Sequence, residues 1–91
     1  GSVAASYSFE QNYPNPFNPI TRIRYAVPKK AVVQVKVYDV LGKEVSTLVS
    51  GTKEAGTYEI QFDASHLSSG VYFYSITSGK YAETRKMILV K

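Results

Sequence analysis

The feature that most constrains this chain is a period-two alternation of apolar and polar residues, with no helical period to compete with it. Residues 57–63 show it most clearly, with Tyr58, Ile60 and Phe62 set between Thr57, Glu59 and Gln61. A spacing of two places alternate side chains on opposite faces of an extended backbone, so each such run makes a strand with one apolar face. Ile23, Tyr25 and Val27 alternate with Arg22 and Arg24 in the same way. Val33, Val35 and Val37 alternate with Gln34, Lys36 and Tyr38, and Tyr72, Tyr74 and Ile76 with Val71, Phe73 and Ser75. Residues 44–49 and 81–91 read as two further strands. Ile60 is expected at the centre of the core.

The breaks between these runs are turn chemistry. Pro28-Lys29-Lys30 stops one strand, Asp39-Val40-Leu41-Gly42-Lys43 makes a turn with Gly42 at positive φ, and Ser78-Gly79-Lys80 reads as a hairpin. Residues 50–56, with two glycines, are expected to form a connection, and residues 63–69 a short helical turn capped by Asp63. Six or seven strands with turn signals every eight to twelve residues predict an all-β fold: an immunoglobulin-like antiparallel β-sandwich of about seven strands. An up-and-down barrel is the alternative. The Cys–Trp–Cys hallmark of antibody domains is missing, so only the architecture is implied.

Ninety-one residues make one domain. With no cysteine, the core must come from the 44% of hydrophobic residues, rich in the strand formers Val, Ile and Tyr. Gly1-Ser2 reads as a cloning remnant, and residues 1–12 as that remnant plus a linker that can join the first strand; residues 13–91 are read as the domain. The net charge of +4 is spread along the chain without a cluster, so no nucleic-acid partner is predicted. No apolar run is long enough to span a bilayer, and no membrane insertion is predicted.

Candidate chemistry is sparse. His66 stands alone in a polar loop near Asp63, Ser65, Ser68 and Ser69, which does not make a triad, so no catalytic residue and no enzyme activity is predicted. Asn12, Asn15, Asn18 and Asp39 offer oxygens but lack the dense acidic spacing of a calcium loop; no metal or cofactor is predicted. Eight tyrosines raise the possibility of a sugar-binding face, but Tyr25, Tyr58, Tyr72 and Tyr74 fall on the apolar phase of their strands. Tyr38, Tyr81 and Phe73 fall on the polar phase, scattered over different strands.

Two stretches depart from the alternating pattern. Tyr13-Pro14-Asn15-Pro16-Phe17-Asn18-Pro19 cannot run through a helix or a central strand, because each proline lacks an N–H and restricts its predecessor. Tyr13 and Phe17 nonetheless need somewhere to pack, so it reads as a stiff, specific segment. At the other end, Met87-Ile88-Leu89-Val90 is apolar in both phases, bracketed by Lys86 and Lys91. Either this strand lies at the centre of the sandwich with both faces covered, or it presents an apolar side or open edge to a partner.

These stretches carry a resemblance to a known family. The proline-rich segment followed by Thr21-x-Ile23-x-Tyr25, then Val35-x-Val37-Tyr38-Asp39-x-x-Gly42-Lys43-Glu44-Val45, then Leu67-x-x-Gly70-Val71-Tyr72, then the terminal run to Lys91, resemble the type A C-terminal sorting domain of type IX (Por) secretion cargo. The chain is also similar to the Ig-like domain of the flagellar hook-capping protein. The first resemblance implies a non-catalytic address at the end of a multidomain secreted protein, and its Asn-Pro-Phe-Asn-Pro variant is common in thermophilic and free-living relatives of the Bacteroidetes. It would be recognised in the periplasm, carried across the outer membrane and delivered to the cell surface. Its partners would be the type IX translocon, the surface-attachment machinery and the upstream cargo domains of the same chain. The recognition residues it implies are Lys86, Met87, Ile88, Leu89, Val90 and Lys91, with Gly42, Gly70 and Tyr72 structural. A carbohydrate-binding or spacer module of a secreted glycoside hydrolase is the alternative.

Overall fold

A computed structural model describes residues 5–91; the reading of residues 1–4 as cloning remnant and linker lies outside the described residues. Seven strands follow one another: β1 (Ser8–Phe9), β2 (Ile20–Val27), β3 (Ala31–Tyr38), β4 (Glu44–Lys53), β5 (Gly56–Asp63), β6 (Gly70–Ser78) and β7 (Tyr81–Leu89). They form two antiparallel sheets, β1-β2-β5 and β4-β3-β6-β7, packed as the expected immunoglobulin-like sandwich.

The apolar phases meet in one core between the sheets. Ile23, Tyr25 and Val27 of β2 face Val33, Val35 and Val37 of β3 and Tyr72, Tyr74 and Ile76 of β6, all buried. Tyr58, Tyr72 and Tyr74 turn their hydroxyls to backbone partners. Tyr72 Oη donates to the Ser68 carbonyl at 2.7 Å, and Tyr58 Oη to the Glu54 carbonyl at 2.6 Å. Burial raises the pKa of Tyr25 and Tyr74 above the ordinary phenol value.

Three expectations are corrected. The fourth strand does not end at Val49 but runs to Lys53, leaving only Glu54 and Ala55 as the connection. Ser50-Gly51 reads as a turn in sequence, yet Gly51 sits within the strand at a φ of 148°, a backbone region that favours glycine. Residues 64–69 are a non-helical loop opened by an Asx turn: the Asp63 carboxylate accepts from both the backbone N–H and the hydroxyl of Ser65. Ile60 points inward as its phase requires, but it is only half-buried, because β5 is an edge strand with no neighbour beyond it.

The last strand is not central either. β7 lies at the edge of the four-stranded sheet, paired on one side with β6. Its inward side chains, Met87 and Leu89, are 0% and 1% exposed and belong to the core.

Candidate recognition surface around the last strand

The outer edge of β7 is covered at its end, residues 86–90, by the proline-rich segment and Gln11, and the way it is covered follows from the residue types. Pro14, Pro16 and Pro19 have no N–H to offer, so the segment cannot build a continuous ladder. Phe17, between them, retains both backbone groups. Its N–H donates to the Ile88 carbonyl and its carbonyl accepts from Val90 N–H, both at 2.9 Å, a single parallel bridge opposite Leu89. The Asn15 carboxamide oxygen accepts from Ile88 N–H at 2.9 Å, and Gln11 Nε2 donates to the Lys86 carbonyl at 2.7 Å. The Phe17 ring is buried beside Phe62, so the bridge is anchored in the core.

The other half of the segment is tied to β2. Tyr13 and Arg22 exchange two backbone bonds at 2.9 Å, and Glu10 N–H donates to the Arg24 carbonyl at 2.9 Å. Asn12 is buried and fully engaged. Its N–H donates to Tyr74 Oη at 2.7 Å, and its side-chain amide donates to Thr21 Oγ1 at 3.0 Å and to the Pro14 carbonyl at 3.2 Å. Tyr74 Oη in turn donates to the Glu10 carbonyl at 2.9 Å. The segment therefore crosses from one sheet to the edge of the other and clasps the sandwich shut at one end. The three X–Pro bonds at Pro14, Pro16 and Pro19 are cis.

The chain end is held as well. Lys91 N–H donates to Ser69 Oγ at 3.0 Å, and Lys91 Nζ donates to the Ser65 carbonyl at 2.6 Å. Of the six residues singled out for recognition, Met87 and Leu89 point into the core, Ile88 is half-buried, and Lys86, Val90 and Lys91 are exposed. An open backbone edge along residues 86–90 is thus not on offer in the closed domain; the outward side chains are.

Several of the oxygens and aromatics considered for other chemistry find structural partners. Asn12 and Asn15 serve the clasp, and the Asp39 carboxylate accepts from Leu41 N–H at 2.9 Å and Lys43 N–H at 3.0 Å within its own turn. His66 is exposed, and Asp63 bonds to Ser65 rather than to it. Among the described residues no group of three or more His, Cys, Asp or Glu side chains is arranged to hold a metal. Tyr81 stacks on Tyr7 at 4.4 Å, far along β7 from the chain end. Tyr38 and Phe73, which sequence reasoning treats as scattered, are direct cross-strand partners on the outer face of the four-stranded sheet. The pairing of β3 with β6 brings them together, and no period within either strand announces it.

The register gathers four distant stretches at one pole of the sandwich. The clasp, the turn of residues 39–43, the loop leading into β6 and the end of β7 all lie there, since Tyr38 pairs with Phe73 and Phe73 with Lys86. These features define a class: a small immunoglobulin-like sandwich whose final strand is anchored by its own N-terminal segment and displayed on one side. A family model described as a secretion system C-terminal sorting domain matches residues 11–91, and the chain belongs to that family, the C-terminal sorting domains of type IX secretion. The resemblance carried by the four stretches is thereby borne out. No curated protein and no solved structure matches the chain. Sorting signals of this family are non-catalytic, and they mark a protein as cargo of the type IX machinery for export to the cell surface or the medium.

Proposed function

We propose that the last strand of this domain is the part of the address that the secretion machinery reads. Translocon components would engage it in the periplasm, before the cargo crosses the outer membrane, and the surface-attachment machinery would act afterwards. The observation that carries this reading is the fixed display of the chain end. β6, the clasp and the Ser65–Ser69 loop hold residues 86–91 from several sides while Lys86, Val90 and Lys91 stay exposed. A receptor meeting a pre-ordered strand loses less conformational freedom on binding than one that must order a loose tail.

Because Met87 and Leu89 are core residues, deleting residues 86–91 would confound recognition with unfolding. The test uses an outward residue instead. A periplasm-targeted fluorescent reporter fused ahead of this chain is expressed in a bacterium with type IX machinery, beside a Lys86→Glu variant. Surface display by the unaltered chain and periplasmic retention of the equally stable variant is expected. Equal display of both refutes a last strand read through its side chains.

A second reading, glycan binding, has one observation in its favour. Tyr13 is 80% exposed above a groove lined by Glu10, Gln11, Arg22, Arg24 and Glu59 on the outside of the smaller sheet. An exposed ring beside paired donors and acceptors suits a sugar. Retention on insoluble polysaccharide that Tyr13→Ala abolishes would favour this reading; passage straight through removes it.

A further inference from the structure

The turn between β3 and β4 has the wrong polarity for a solvent-exposed turn. Its tip is Val40 and Leu41, 66% and 90% exposed, in a position that polar residues normally fill. It is also rigid. The Asp39 carboxylate accepts from two backbone N–H groups of the turn, Asp39 N–H donates to the Lys43 carbonyl at 2.9 Å, Gly42 N–H donates to the Asp39 carbonyl at 3.0 Å, and Gly42 takes a φ of 84°. An apolar tip on a pre-formed turn is a knob that keeps its shape without a partner.

The knob adjoins the last strand. On the outer face of the larger sheet the register sets Tyr38, Phe73 and Lys86 side by side across β3, β6 and β7. The turn starts one residue beyond Tyr38. Successive strands are about 4.8 Å apart, so Lys86 lies about 10 Å from the base of the knob.

We infer that the Val40-Leu41 knob, the Tyr38–Phe73 pair and Lys86 form one continuous docking surface for a protein partner that offers an apolar pocket with a carboxylate rim. The inference rests on the reading of the last strand as an address and extends it from a linear segment to a surface of the folded domain. Charge selects the rim. The carboxylates of this pole are engaged by the domain itself, Asp39 and Asp63 by their own turns and Glu44 by Lys36 at 3.2 Å. Lys43 and Lys86 are exposed and, among the described residues, have no carboxylate within ion-pair distance. A protein pocket can place carboxylates against these ammonium groups and leave Asp39 and Glu44 unopposed. A bilayer of anionic lipid would repel Asp39 and Glu44, and two side chains at one point bury too little to hold a domain on a membrane.

The test is display of the same reporter with Leu41→Asp, Leu41→Met and Lys86→Glu, each first checked by thermal melting. Leu41 touches little of the domain, so its variants are expected to melt with the unaltered chain. Leu41→Asp is expected to lower display at least about tenfold, the factor that about 1.4 kcal/mol of lost binding produces, and Leu41→Met to restore most of it. Unchanged display of Leu41→Asp, with loss in the lysine variant, overturns the knob and leaves the last-strand reading standing. Loss with Leu41→Asp but not with the lysine variant overturns the last-strand reading and, with it, the continuity claimed here. Sedimentation with vesicles of anionic phospholipid that Leu41→Asp abolishes replaces the protein pocket by a lipid surface and overturns the assignment.

Discussion

The two edges of the larger sheet solve one problem in opposite ways. At one edge β4 has no strand beside it, and at the other β7 is sealed by Phe17. β4 shields itself by irregularity: its pairing with β3 slips between Val35 and Lys36 and again between Val37 and Tyr38, and Ser46, Thr47, Ser50, Thr52 and Lys53 punctuate it. Bulges twist an edge and polar residues discourage a second chain from adding to it. β7 keeps a regular register with β6 and an apolar end, which is the kind of edge that invites pairing. A segment from the other end of the chain occupies it instead. An edge made safe by covering can stay regular and precisely placed, whereas one made safe by bulges gives up regularity.

The largest way to break this contrast is to remove the seal. Phe17→Ala is expected to cost about 3–5 kcal/mol, the usual range for a buried aromatic ring, and to bring concentration-dependent association as the β7 edge opens. Val49→Ala in β4, a half-buried position, should cost clearly less. Denaturant titration and sedimentation on both variants check this, and equal losses would mean that the clasp adds nothing special to its edge. Tyr74→Phe comes next. It leaves Asn12 N–H buried without its acceptor, at a cost of about 1–3 kcal/mol.

Asn15→Ala probes the seal more gently. It removes the acceptor of Ile88 N–H, worth about 0.5–1.5 kcal/mol, and the clearest sign should be faster hydrogen exchange at the Ile88 amide. An unchanged rate would show that the Phe17 bridge protects that amide by itself.

The smallest effect is with pH, and each edge has its own group. Glu44 at the start of β4 is held below the ordinary carboxylate value, first by the Thr47 hydroxyl and then by Lys36. Asp63, beside the loop that holds Lys91, is lowered first by the Ser65 hydroxyl and then by the Ser65 N–H. A carboxylate with a lower pKa folded than unfolded contributes stability that is complete above its unfolded value, about 4, and is lost as the pH falls through its folded value. Melting temperature should therefore drop below about pH 4. Glu44→Gln and Asp63→Asn should each flatten part of that drop. An acid slope untouched by both would place it in other groups.

The architecture was legible because it is local. Alternation in residues 57–63 and 70–77 gives each strand its inward face whatever lies across the core, and Gly42 and Gly79 mark turns by their own backbone requirements. β4 resisted because two bulges erase its period and a glycine within it imitates a turn. The role of Phe17 resisted for a different reason. A one-residue parallel bridge has no period at all, and its only trace is a large apolar residue among prolines at one end and a run apolar in both phases at the other. Pairing such traces requires the register of every strand between them. The same holds for Tyr38, Phe73 and Lys86, which share a row only once β3, β6 and β7 are side by side.

The clasp also ties the domain to the order in which its chain is made. Asn15 and its partner Ile88 are separated by 73 positions, nearly the whole domain. A ribosome delivers Asn15 and Phe17 long before the residues they seal. A message truncated or frameshifted upstream of Met87 yields a polypeptide with a vacant slot beside Phe17 and no strand to fill it. Closure of the sandwich is therefore a physical receipt for translation through β7, and an export route that accepts only the closed form will leave copies that stop short of it behind.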